Sequence, residues 1–107
     1  MIELSEIKLQ CRIEIEDTYE DRYLEMLLKA AQSYIDTFLN QKVRWDGSTG
    51  DIPLYHDIKL AALMLIGHWY ENREATTAIN LKEVPLATNC LLEQYRVIQT
   101  GYLRDSV

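Results

Sequence analysis

Residues 60–74 read LAALMLIGHWYENRE, and this stretch decides the fold. It opens as an unbroken apolar run from Leu60 to Gly67. It then turns into a polar, aromatic and charged cluster of His68, Trp69, Tyr70, Glu71, Asn72, Arg73 and Glu74. A helix apolar on every side is normally enclosed on every side. The run is too short to span a bilayer, which takes roughly 18–20 apolar residues. It therefore predicts the central helix of a small helical domain, covered by the chain's other helices or by neighbouring copies. Trp69 extends the core stripe of Ile58, Ala62, Leu65 and Ile66. Asn72 and Arg73 are placed to satisfy the last carbonyls, with Arg73 available to an acid of the preceding helix.

Working outward, the spacing predicts three more helices. Upstream, Leu24, Leu27, Leu28, Ala31, Ile35, Phe38 and Leu39 form an amphipathic stripe at period 3.6 within residues 18–40. Asp17 or Thr18 caps it, Glu20 and Asp21 suit its positive end, and Asn40 stops it. Before it, Leu4, Ile7 and Cys11 mark a short helix over residues 4–11 that leaves Leu9 off its stripe, and residues 12–15 alternate as an extended link. Residues 42–50 read as a loop with a turn cluster at 46–50 and a short strand around 43–45. The central helix then begins at Asp51-Ile52-Pro53, where proline suits the first turn, and runs to Asn72 or Glu74. Residues 75–83 are a loop closed by Val84-Pro85. A fourth helix follows from Ala87 or Thr88 to Ile98, with Leu91, Leu92, Tyr95 and Ile98 on its buried face and Thr88 available as a cap. The expectation is an all-α bundle of about four helices. Its core includes Leu27, Ala31, Ile35, Leu63, Trp69 and Leu92.

The chain has 107 residues, 48% hydrophobic and 26% charged. That fits one domain of residues 1–107, with residues 97–107 set apart as a candidate C-terminal arm. Net charge is −6, and most of it lies early: residues 1–25 hold eight acids against Lys8, Arg12 and Arg22. An acidic N-terminal quarter argues against phosphate-contact DNA binding, which needs clustered Lys and Arg. The start of the chain lacks the basic and apolar segments of a signal peptide. Cys11 and Cys90 form no Cys-x-x-Cys pair and read as reduced, buried thiols of a cytosolic protein.

No enzyme constellation stands out, and no cofactor or metal site is expected. His56 and His68 fall about 120° apart around one helix and more than three turns along it, so they cannot share a metal. There is no Cys/His ligand spacing and no Gly-rich phosphate loop. The Trp69–Arg73 cluster does contain the residue types that anchor interfaces, Trp, Tyr and Arg. Seven tyrosines against one phenylalanine likewise suit half-buried, wet contacts.

The order of these pieces carries a resemblance. Cys11-Arg12-Ile13-Glu14 is followed by the acidic opening of residues 17–21 and the Leu-x-x-Leu-Leu-x-Ala-Ala-x-x-Tyr-Ile stretch of residues 24–35. Then come Ile52-Pro53, the central LAALMLIGHWYENRE block, Val84-Pro85 and Leu91-Leu92-x-x-Tyr95-Arg96. Across nearly its whole length the chain resembles the head–tail connector (adaptor, head-completion) proteins of long-tailed bacteriophages. Cys11 stands where that family usually has an aliphatic residue. The resemblance implies an all-α structural protein without enzymatic activity. It implies a ring of about twelve copies, seated below the portal protein. Such a ring extends the DNA channel and offers a platform to the next neck, stopper or tail-completion protein. DNA would pass through the lumen without specific binding, and an acidic wall suits that passage. Candidate subunit contacts are Glu20, Asp21, Arg44, Tyr70 and Arg73. Candidate portal contacts are Arg96, Tyr102, Leu103 and Arg104, the last three on an arm that orders on binding. The competing reading is a small cytosolic helical regulator that binds proteins and has no virion role.

Overall fold

The computed structural model describes residues 2–47, 49–72 and 84–97. Four helices follow one another: α1 (Leu4–Gln10), α2 (Asp21–Leu39), α3 (His56–Glu71) and α4 (Leu86–Glu93). Among the described residues there is no strand, only an isolated parallel bridge between Val43 and Ile52. The fold is all-α. Helix α3 is the hub and packs against each of the other three.

The buried side chains follow from the periodicity. Leu24, Leu27, Ala31, Ile35 and Leu39 line the inner face of α2. They meet Ile58, Ala61, Ala62, Leu65, Ile66 and Trp69 of α3. Ile7 and Cys11 close the core from α1, and Leu92 closes it from α4. Leu63 is only half-buried at the core's margin. Helix α3 is not enclosed all round within the subunit: Leu60 remains 48% exposed and Met64 half-buried. Gly67 lies where α1 crosses, and a Cβ there would come within 3.1 Å of the Gln10 side chain.

The helix ends explain the boundaries. Helix α1 opens with a reciprocal cap in which the Glu3 amide donates to Glu6 Oε1 at 2.9 Å. It closes through Arg12, whose φ of 61° lets the Ile13 amide reach back to the Lys8 carbonyl at 2.8 Å. The link of residues 12–15 is thus bounded by turns at Arg12 and Ile15 instead of running extended throughout. Asn40 repeats the device after α2 with φ 59°, and the Gln41 amide bonds to the Asp36 carbonyl. Helix α2 begins at Asp21 and not at residue 18, because residues 17–20 are held in tight turns: the Asp17 carboxylate accepts the Tyr19 amide at 3.0 Å. Helix α3 starts five residues after Asp51. The Ile52 carbonyl accepts from the Arg44 amide and the Ile52 amide donates to the Lys42 carbonyl, which holds this segment extended against 42–44. Proline at 53 also disfavours helical backbone at Ile52. Helix α4 ends at Glu93, short of Ile98, and the Val97 amide turns to the Leu39 carbonyl at 2.9 Å. Its N-cap is Pro85. Thr88 lies inside the helix, fully buried, and its hydroxyl has no hydrogen-bond partner.

Candidate interaction surface

The acids at the start of α2 are tied within the subunit. Lys8 on α1 is 3% exposed, and its ammonium pairs with Asp21 at 2.9 Å. The same ammonium donates to the Ile15 carbonyl at 3.0 Å. One buried cation therefore joins α1, the following turn and the first residue of α2. Glu20 accepts a hydrogen bond from the Tyr70 hydroxyl at 2.5 Å, and the Tyr70 ring packs 6.3 Å from Tyr23. Glu20, Asp21 and Tyr70 thus bind α2 to α1 and α3. Arg44 is exposed and its Nε donates to the Gly50 carbonyl. Arg73, Tyr102, Leu103 and Arg104 lie outside the described residues. Arg96 is exposed, sits 4.7 Å over the Phe38 ring and pairs with Glu93 at 3.6 Å.

What the fold leaves outward lies around the turn between α1 and α2. Leu9 is 82% exposed, Ile15 67% and Tyr19 92%. Leu9, Ile13 and Ile15, with Ser5 and Glu6, border a shallow apolar hollow of about 260 Å³. Glu14, Glu16 and Asp17 are exposed beside them. A signal for this surface was in the sequence: Leu9 falls off the α1 stripe, and Ile15 stands between two glutamates. Neither has a place in a core.

A second feature is a groove between α1 and α2. It has a volume of about 460 Å³ and is lined by Ile2, Leu4, Ile7 and Leu28, with Glu25 and Lys29 on its α2 side. It continues past Leu28 and Gln32 into a more polar hollow of about 350 Å³ beside Asp36, Lys42 and Trp45. There the Asp36 carboxylate accepts from the Val43 amide and from Trp45 Nε1, both at 3.1 Å.

Titratable groups serve packing. Burial, with Glu71 and Glu20 nearby, pushes the Cys11 thiol up to about 11, so it stays protonated. Cys90 is exposed, contrary to the expectation of two buried thiols. The bond from Lys59 and then the Glu3 backbone hold Glu6 below its ordinary value. Burial raises the Tyr95 phenol, with Asp57 adding to the shift. Asp57 receives both Gln94 Nε2 at 2.9 Å and the Tyr95 hydroxyl at 3.2 Å, which docks α4 on α3. Among the described residues no group of three His, Cys, Asp or Glu side chains could hold a metal. No described helix is long and apolar enough to cross a membrane.

The family model described as "Phage gp6-like head-tail connector protein" matches residues 1–96. No curated protein and no solved structure matches the chain.

Proposed function

The chain belongs to the phage gp6-like head–tail connector family, and from that premise we propose that copies of it close into a ring below the portal. Family membership makes it a phage structural connector and implies contact with portal and tail proteins. In the proposed assembly about twelve copies join head to tail around a closed cyclic axis. The ring continues the DNA channel and presents its far side to the next neck or tail-completion protein. The protein is made in the host cytoplasm and resides in the virion at the head–tail junction, and it catalyses nothing.

The observation that carries this reading is the family match over residues 1–96. Two features support it. The net charge of −6 suits a channel that DNA passes without counterion-releasing contacts. Lys8, Glu20, Asp21 and Asp57, moreover, are engaged in holding helices together. Arg96 is the one portal-contact candidate among the described residues, and the arm of residues 97–107 is proposed to carry Tyr102, Leu103 and Arg104 to the portal. Deleting residues 101–107 is expected to leave a folded subunit and heads that lack tails and leak DNA. Normal phage yield from that truncation would place portal binding on the helices. The ring itself is tested by electron microscopy of the neck with mass measurement of the assembly. Isolated monomers on the capsid exterior would overturn it.

A further inference from the structure

We propose that on one copy the end of α1 and the turn after it, bearing Leu9 and Ile15, seat in the α1–α2 groove of the next copy, with Glu14 and Glu16 facing Lys29. This rests on the ring reading and names the two faces that would meet.

The turn is built for display. Leu9 and Ile15 are exposed apolar side chains side by side above half-buried Ile13. Contiguous exposed apolar surface marks interaction sites. The backbone beneath is fixed by an unusual means, a lysine almost fully out of water. The Lys8 ammonium holds the Ile15 carbonyl and the Asp21 carboxylate, and the Ile13 amide holds the Lys8 carbonyl. A buried ion pair is weak evidence for stability, because desolvation offsets the attraction. A turn already held in one shape loses little freedom on binding.

The receiving surface lies on the same helix but on its other side. At ~100° per residue, Ser5, Glu6 and Leu9 fall on one flank of α1, and Leu4 and Ile7 lie roughly opposite. Knob and socket on opposite flanks cannot meet within one subunit. They make a head-to-tail contact that repeats around a ring. The groove floor of Ile2, Leu4, Ile7 and Leu28 is apolar, as Leu9 and Ile15 require. Lys29 is the one base of a rim that also carries Glu3 and Glu25. The exposed side chains of Glu14, Glu16 and Lys29 make no hydrogen bond or ion pair among the described residues, so Lys29 is free to meet an acid of the next copy.

The test uses assembled heads carrying the full-length protein in a Cys90→Ser background, with Ile15→Cys and Lys29→Cys introduced together. Both positions are exposed, so neither change burdens folding. Treatment with a short bis-maleimide should give a ladder of cross-linked connector multimers on denaturing gels, absent from proteins carrying only one of the two introduced cysteines beside the buried Cys11. Rings visible in micrographs without a ladder would overturn this interface and leave the ring reading intact. Absence of any ring would overturn both. A cross-link joining the connector to portal or tail protein instead would assign the turn to that partner and also overturn the proposal. Independently, Leu9→Asp with Ile15→Asp should leave the melting temperature unchanged while lowering the yield of tailed heads at least about tenfold. Lys29→Glu should weaken assembly, and Glu14→Lys with Glu16→Lys should restore it. An unchanged yield in the double aspartate protein would contradict the proposal.

Discussion

The two described connections between helices are fixed in different ways. Between α1 and α2, the buried Lys8 ammonium reaches both Ile15 and Asp21. Between α2 and α3, the work is divided. The Lys42 amide donates to Asp51 at 2.9 Å, the Val43 amide and Trp45 indole to Asp36, and the Arg44 amide to the Ile52 carbonyl at 2.8 Å. A distributed set can lose one member and keep its shape. The α1–α2 connection has backbone bonds of its own, but one ammonium, as a peg, ties it to the start of α2. The contrast fits a turn that must present apolar residues in one fixed pose and a connection that only has to bring the chain back.

The largest effect should come from pulling the peg. Lys8→Ala leaves the Asp21 carboxylate without its cation and the Ile15 carbonyl without its donor. Removing one partner of a buried pair is expected to cost about 3 kcal/mol here, the low end of the usual range, because Asp21 is partly open to water. Urea denaturation measures it. Combining Lys8→Met with Asp21→Leu should recover most of that loss. A cost for Lys8→Ala below about 1 kcal/mol would erase the distinction between the two connections.

Next in size is Asp36→Ala, which removes the acceptor shared by Val43 and Trp45. A cost of about 2 kcal/mol is expected, in the range for hydrogen bonds to a charged group. Tryptophan fluorescence should report a local change at Trp45 while Trp69 stays buried. Collapse of the whole fold would show that this connection, too, hangs on one residue.

Asn40→Ala tests the closure of α2 that begins the second connection. A left-handed alanine should cost about 1 kcal/mol, whereas Asn40→Gly should be close to neutral despite losing the side-chain bond to the Val97 carbonyl. Equal losses for the two would point to the side chain, not the backbone, as what matters.

The smallest effect concerns acid. Glu6 is held below its ordinary value of 4.5 by Lys59. A lowered folded value means that the Glu6 contribution is present above the unfolded value and lost as pH falls through the folded one. Glu6→Gln should therefore be slightly less stable than the unmutated protein at neutral pH. The difference should vanish in acid, and a difference that grew there would reverse the assignment.

The helices were legible because their signals are local. The α2 stripe of Leu24, Leu27, Ala31, Ile35 and Leu39 needs only a period, and Asn40 as a stop needs only its tolerance of left-handed backbone. The start of α3 is ambiguous in the sequence because Pro53 satisfies two rules at once. It suits a first helical turn, and it also disfavours helical backbone at Ile52, and the pairing with Val43 decides between them. The apolar run of α3 calls for cover from other helices or from neighbouring copies, and within the subunit Leu60 stays open. An apolar run records what a residue tolerates and not how much neighbouring chain there is to cover it. The surface was harder still. Glu20 and Asp21 are acids at a helix start, and charge alone marks them as available. Their partners Tyr70 and Lys8 belong to other helices, and no local pattern announces such pairs. Leu9 and Ile15 were visible as misfits to the stripe, but their rigid display depends on a lysine turned inward against its usual habit.

The junction at Val97 has a mechanical consequence. The Val97 amide is bonded to the Leu39 carbonyl, the Asn40 side chain to the Val97 carbonyl, and Gln41 Nε2 to the Tyr95 carbonyl. These three bonds clamp the chain just after α4 to the end of α2. A pull on whatever follows Val97 would then arrive at the tip of the longest helix instead of peeling α4 away turn by turn. Tension entering there would spread through α2 and its buried face before any short helix had to carry it.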